Sequence, residues 1–175
     1  RTVLTTTLAV VPGSLSLAGD VIVFATRKES SAPADVEMAV YRLGVSTGMV
    51  EKISGSDWAG TPRRDGHMVL WSEHSSSGTR RQALVLHDLR SGLSKTIAEV
   101  SGERGGFGLA VRFHDGWAIW STYEAGERYW SYSVATGETR ELPGLAGSLP
   151  WAIDGNALYY TPGAGTDVIF DRPEE

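Results

Sequence analysis

The 175-residue chain contains no cysteine, which excludes disulfide scaffolds, cysteine nucleophiles and thiolate metal sites. No apolar run is long enough to cross a bilayer as a helix, so membrane insertion by a helix is not expected. A basic surplus is also missing. Lys and Arg number 16 against 21 Asp and Glu, for a net charge of −5, and the charges are scattered. Nucleic acids and anionic membranes, which select a basic face, are therefore poor partners. No ten-residue stretch has persuasive helical periodicity, and the 21 glycines point to a chain built from turns.

Catalytic and cofactor motifs are equally scarce. The serines at Gly13-Ser14-Leu15 and Gly55-Ser56-Asp57 lack the flanks of a nucleophile elbow. His67, His74, His87 and His114 do not form the i, i+4 pairs that ligate a metal from one helix, and there is no Asp-x-Asp-x-Asp calcium loop. The Gly-rich stretch 102–106 does not join a strand to a helix, so it lacks the helix dipole of a phosphate cradle. Glu124 with Glu127, and Asp35 with Glu37, read as solvated loop charges, as do the basic pairs Arg63-Arg64 and Arg80-Arg81. His87, beside Asp88 on a strand, reads as a hydrogen-bonding residue. No cofactor or metal site is expected, and the reading leans away from an enzyme.

What the chain does contain is a repeated phrase. Gly19-Asp20-Val21-Ile22-Val23-Phe24-Ala25 returns as Asp65-Gly66-His67-Met68-Val69-Leu70-Trp71 and as Asp115-Gly116-Trp117-Ala118-Ile119-Trp120-Ser121. A fourth copy is Asp154-Gly155-Asn156-Ala157-Leu158-Tyr159-Tyr160. Asp65, Asp115 and Asp154 stand 50 and 39 residues apart. A second landmark, Thr47-Gly48, Ser91-Gly92 and Thr136-Gly137, recurs at 44 and 45 residues. Two landmarks in phase at this period mark a β-propeller, here of four four-stranded blades.

The expected strands are 14–17, 21–26, 37–43 and 49–53 in the first blade and 60–63, 67–72, 82–89 and 93–98 in the second. The third uses 107–113, 117–122, 129–134 and 138–142, and the fourth 149–153, 157–161 and 167–171. Within a blade these are strands a to d. The second strands are almost wholly apolar, as expected of strands covered on both faces. The fourth blade lacks a strand d, which the β-branched segment 2–8 is expected to supply. The chain is thus read as one domain over 1–175, with repeats at 11–54, 55–99, 100–143, and 144–175 plus 1–10. A segment of a larger propeller, or half of an eight-bladed edge-to-edge dimer, fits the same phase. Arg1 in place of Met is read as a sign of processing or excision.

The repeats resemble the TolB-like (WD-like, PD40) propeller family. Trp151-Ala152-Ile153-Asp154-Gly155 carries that resemblance best, followed by Phe113-His114-Asp115-Gly116 and Arg63-Arg64-Asp65-Gly66. The first copy inverts its Gly and Asp, and the Pro typical of the family turn is absent from all four. The resemblance implies a binding or gating role and an extracytoplasmic location, periplasmic or secreted. It transfers no catalytic residue.

Propeller geometry places the short a–b and c–d turns at one end and the longer b–c loops (27–35, 73–81, 123–128, 162–166) and d–a loops (including 55–58 and 100–106) at the other. Irregular loops on a rigid scaffold carry function. The candidate contact residues are therefore Arg27, Lys28, Glu29, Trp58, His74, Arg80, Arg104, Tyr123, Glu124, Arg128 and Trp151. Trp71, Trp117, Trp120 and Trp130 are assigned to packing, whereas Trp58 and Trp151, which open or occupy a strand a, could offer a ligand an aromatic platform. A protein or peptide partner fits this mixed set, with the chain a monomer or an edge-to-edge dimer. An accessory domain gating a larger enzyme such as a peptidase, and a lectin-like or small-ligand module, are the alternatives.

Overall fold

The computed structural model describes residues 9–28, 37–56, 58–75, 81–101, 107, 111–123, 126–145, 147, 149–154 and 157–161. Strands and turns account for them, with no helix among the described residues. The contacts divide the chain into two units, Arg1–Ala98 and Glu99–Glu175.

The first unit holds one antiparallel sheet and all but the last three residues of another. One contains β1 (Ala9–Val10), β2 (Ser16–Ala18), β3 (Val21–Lys28), β4 (Glu37–Gly44) and β5 (Val50–Lys52). Its order is β1-β3-β4-β5, and β2 shares the outer edge of β3 with β1. The other contains β6 (Arg63–Asp65), β7 (Met68–His74), β8 (Arg81–Asp88) and β9 (Ser94–Ser101), in chain order. The second unit repeats the pattern with β10 (Arg112–His114), β11 (Trp117–Tyr123), β12 (Glu127–Ser133) and β13 (Thr139–Leu142). It also carries the hairpin β14 (Leu149–Asp154) and β15 (Ala157–Thr161). The expected segments 2–8 and 167–171 lie outside the described residues.

The apolar second strands are buried on both faces, as their composition requires. Val23, Ala25, Val69, Leu70 and Ala118 are fully enclosed, and Phe24, Trp71 and Trp120 nearly so. In the first unit Val23, Val40, Ala59, Val69, Trp71 and Val85 form one core cluster spanning both sheets.

The short turns are the most regular part of the molecule. Gly48, Gly92 and Gly137 have φ of 70°, 72° and 73°, values a side chain would strain. Each donates its N–H at 2.8 Å to the carbonyl four residues earlier, of Gly44, Asp88 and Ser133. The hydroxyls of Thr47, Ser91 and Thr136 accept the N–H groups of Met49, Leu93 and Glu138. Each of these turns is tied to the first hairpin of its own sheet. Val45, Leu89 and Val134 donate to the carbonyls of Asp20, His67 and Gly116 at 2.8, 2.9 and 2.8 Å. Both sets of short turns thus share one end of each sheet.

The register corrects the phase of the repeated phrase. The two-residue turns are Gly19-Asp20, Gly66-His67 and Asp115-Gly116, so Asp65 ends a strand whereas Asp115 lies within a turn. Gly19 and Gly66 have φ of 58° and 55° and are followed by residues without positive φ, the type II′ form. Asp115 and Gly116 are both positive, at 48° and 73°, the type I′ form. The inverted Gly19-Asp20 is therefore ordinary turn chemistry.

Strand a breaks register in every sheet, opposite the same part of strand b. Val10 pairs with Thr26 but Ser16 with Val23, leaving three extra residues. Ala59 faces Glu73 but Arg63 faces Leu70, leaving one. Phe107 faces Thr122 but Arg112 faces Ile119, leaving two. In the hairpin Trp151 is the single extra residue between Pro150 and Ala152. These bulges replace the continuous first strands expected at 60–63 and 107–113. In the first sheet Ser14 fills the gap: its buried Oγ accepts the Ala25 N–H at 3.0 Å and donates to the Val11 carbonyl at 2.7 Å.

Candidate functional site

In the first unit the long-loop end brings three candidates together. Arg27 is the cross-strand partner of Met38. Met38 forms a parallel bridge with Trp58 and accepts the Ala59 N–H at 2.8 Å. The Trp58 carbonyl in turn accepts the His74 N–H at 2.9 Å. Adjoining backbone segments thus carry an exposed arginine, a half-buried tryptophan and a histidine. Partial desolvation lowers the His74 pKa, which favours the neutral ring.

The loop that delivers Trp58 is held by side chains. Ser54 accepts the Val40 N–H at 3.1 Å and donates to the Ser56 carbonyl, and Ser56 Oγ accepts the Trp58 N–H at 3.2 Å. The Glu73 carboxylate accepts both the Trp71 indole N–H and the Gly55 N–H at 2.8 Å. Trp58 is therefore presented by a braced segment rather than a loose one.

In the second unit Tyr123 and Arg128 lie on paired strands, where Tyr123 faces Glu127 and Thr122 faces Arg128. Glu127 corrects the expectation of a solvated loop charge. It opens β12, is half-buried, and accepts the hydroxyls of Tyr123 at 2.6 Å and Tyr129 at 3.0 Å and the Gly147 N–H at 2.8 Å. Desolvation pushes its pKa up, but these hydrogen bonds outweigh it and hold the carboxyl below its ordinary value. The bond to Glu127 raises the pKa of Tyr123. Burial, then the same carboxylate, raises that of Tyr129. Both phenols remain protonated donors.

Arg128 is engaged within its own sheet. It forms a bidentate pair with Glu141, at 2.9 and 2.5 Å, and its guanidinium lies 5.0 Å from the centre of the Trp130 ring. Tyr123 remains 46% exposed, so its ring is open to a contact. Farther along the same unit, Arg112, Phe113, His114, Ala152 and Ile153 line a shallow cleft of about 260 Å³ between two first strands.

Lys28 lies at the end of β3, paired with Glu37, and Trp151 occupies the bulge of β14. Glu29, Arg80, Arg104 and Glu124 lie outside the described residues. Among the described residues no group of three His, Asp or Glu side chains is arranged to hold a metal ion.

No family model matches the sequence, and no curated protein matches it. The fold does match solved structures. The chain is similar to the Pyrococcus horikoshii acylaminoacyl peptidase, at 10% identity and a TM-score of 0.60, over 96% of this chain and 32% of that one. It is similar to the computationally designed Ika4 protein, at 11% identity and a TM-score of 0.60, over 98% and 95%. It is also similar to the β-propeller domain of the Trilobed protease from Pyrococcus furiosus, at 11% identity and a TM-score of 0.54, over 96% and 57%. The chain spans about a third of the peptidase and just over half of the protease domain. At these identities the likeness establishes the fold, an all-β architecture of β-propeller type.

Proposed function

We propose that this chain is a propeller binding module that engages a protein or peptide through its long-loop end and performs no chemistry of its own. The observation that carries the reading is the braced juxtaposition of Arg27, Trp58 and His74 on adjoining backbone. Arginine and tryptophan are the side chains that most often dominate protein interfaces, and a rigid scaffold reduces the entropy lost when they bind. Tyr123 extends the same chemistry in the second unit.

Membership of the TolB-like family, closure of four blades by segment 2–8, a single domain over 1–175 and an extracytoplasmic location belong to this reading. The resemblance of the repeated phrase to that family supports them. No helix among the described residues is long and apolar enough to cross a membrane.

Site-specific photo-crosslinking in an extract of the native host tests the proposal. Probes at positions 27, 58 and 74 should capture one common protein, and Arg27→Glu or Trp58→Ala should abolish capture by a probe at 74. Capture only by probes in the opposite turns, for example at Leu93, would overturn it. A second reading, an accessory domain gating a peptidase, is favoured by the similarity to a peptidase three times as long. A hydrolase domain encoded in the same precursor would select that reading.

A further inference from the structure

His87 occupies a position that its sister sheets fill with larger apolar side chains. The register makes Leu43, His87 and Tyr132 equivalent, facing Ile22, Val69 and Ala118 on the second strands. All three are buried, with 1%, 4% and 4% of their surface exposed. The His87 ring packs against Trp71, with centroids 5.8 Å apart. Its Nδ1 lies 2.9 Å from the Ser94 hydroxyl, and its Nε2 is buried with no hydrogen-bond partner.

This environment suits a neutral imidazole and opposes a charged one. Protonation would give the ring two N–H donors and leave the one at Nε2 unsatisfied in an apolar core. Arg42, on β4, already places a positive charge nearby. The closest carboxylates are committed elsewhere. Glu51, on β5, pairs with Arg42 at 2.6 Å. Asp88 accepts the Arg90 N–H at 2.8 Å and the Ser91 hydroxyl at 2.9 Å, and stands 3.9 Å from His67.

We propose that His87 is an acid-sensitive trigger in the core of the second sheet, whose protonation loosens that sheet under mildly acidic conditions. The direction follows from linkage. Burial first, and then Arg42, lower the folded-state pKa of His87 below 6.5, outweighing Asp88 and Glu51. Stability is therefore full above the unfolded-state value, falls as the pH drops below it, and levels off at the folded-state pKa. Asp88, whose carboxyl the Arg90 N–H holds below its ordinary value, acts in a separate, lower window. His74 titrates in the same sense as His87, so the difference between wild type and a His87 variant is the informative quantity.

The test is thermal unfolding of wild type, His87→Leu and His87→Tyr, the last two borrowing the residues of the sister sheets, at about pH 7.5 and about pH 5. Wild type should lose markedly more of its melting temperature on acidification than either variant. An equal loss in all three would overturn the proposal. Should the variants fail to fold, the wild-type protein still decides it through NMR titration of the His87 imidazole. A ring that stays neutral well below pH 6.5 supports the trigger, and one that titrates at or above 6.5 overturns it.

Discussion

Arg64 donates from Nη1 to the Val21 carbonyl at 2.7 Å, fastening the second sheet to the first strand–turn–strand unit of its neighbour. The same guanidinium donates to the Ala18 carbonyl at 3.2 Å and to Gly66 at 2.8 Å. One side chain thus spans two hairpin turns that are distant in sequence, rather than lying solvated in a loop as its sequence context implies. Arg64→Ala should lower stability by about 1.5–3 kcal/mol, the range for hydrogen bonds from a charged group. Arg64→Lys should recover little, because an ammonium cannot present the same fork. Denaturant unfolding midpoints at unchanged m-value check both.

Ser14 replaces the backbone acceptor that the first-sheet bulge removes. Ser14→Ala should leave the buried Ala25 N–H unsatisfied and cost about 1–3 kcal/mol. Accelerated hydrogen exchange at Ala25, with other β3 amides less affected, is the expected local signature.

The two turn types predict opposite tolerances. Asp115→Val forces a β-branched residue into positive φ and should destabilise by about 1–2 kcal/mol. His67→Val places the same residue where no positive φ is required and should stay within about 0.5 kcal/mol. Equal effects in thermal unfolding would contradict the type I′ and type II′ assignments.

Glu127 joins β11, β12 and the segment around Gly147 through one carboxylate. Its lowered pKa means that its contribution is present above pH 4.5 and is lost as the pH falls through the folded-state value. Glu127→Gln should cost about 1 kcal/mol at neutral pH, discounted for partial exposure, and should flatten the acid limb of the stability curve. Unfolding midpoints measured from neutral pH to about pH 3 test this.

The parts of this fold legible in the sequence are those governed by neighbouring residues. Apolar second strands and the Gly-ended c–d turns depend on burial pattern and local φ, so Val23 and Gly48 announce themselves. The phase of the first hairpins is only partly legible, because matching Asp-Gly pairs by identity shifts the second copy by one residue relative to its turn. The bulges leave no mark in the hydrophobic pattern, since residues excluded from the ladder obey no alternation. The roles of Arg64 and Glu127 are illegible for a different reason. Their partners lie as many as 46 and 20 residues away, and only the assembled sheets bring them within reach. At the candidate site, the sequence marks Arg27, Trp58 and His74 as loop-end residues, but the bridge from Met38 to Trp58 is what makes them neighbours.

The bulges in the first strands act as expansion joints. They absorb three, one, two and one residues while the ladder on either side keeps its pairing. Length can therefore change there without passing the change on to the second, third and fourth strands. A short insertion between Val11 and Ser14 should be accommodated where the same insertion inside β3 would expel a core strand. This gives a repeat architecture a place to diverge in length while its buried register stays fixed.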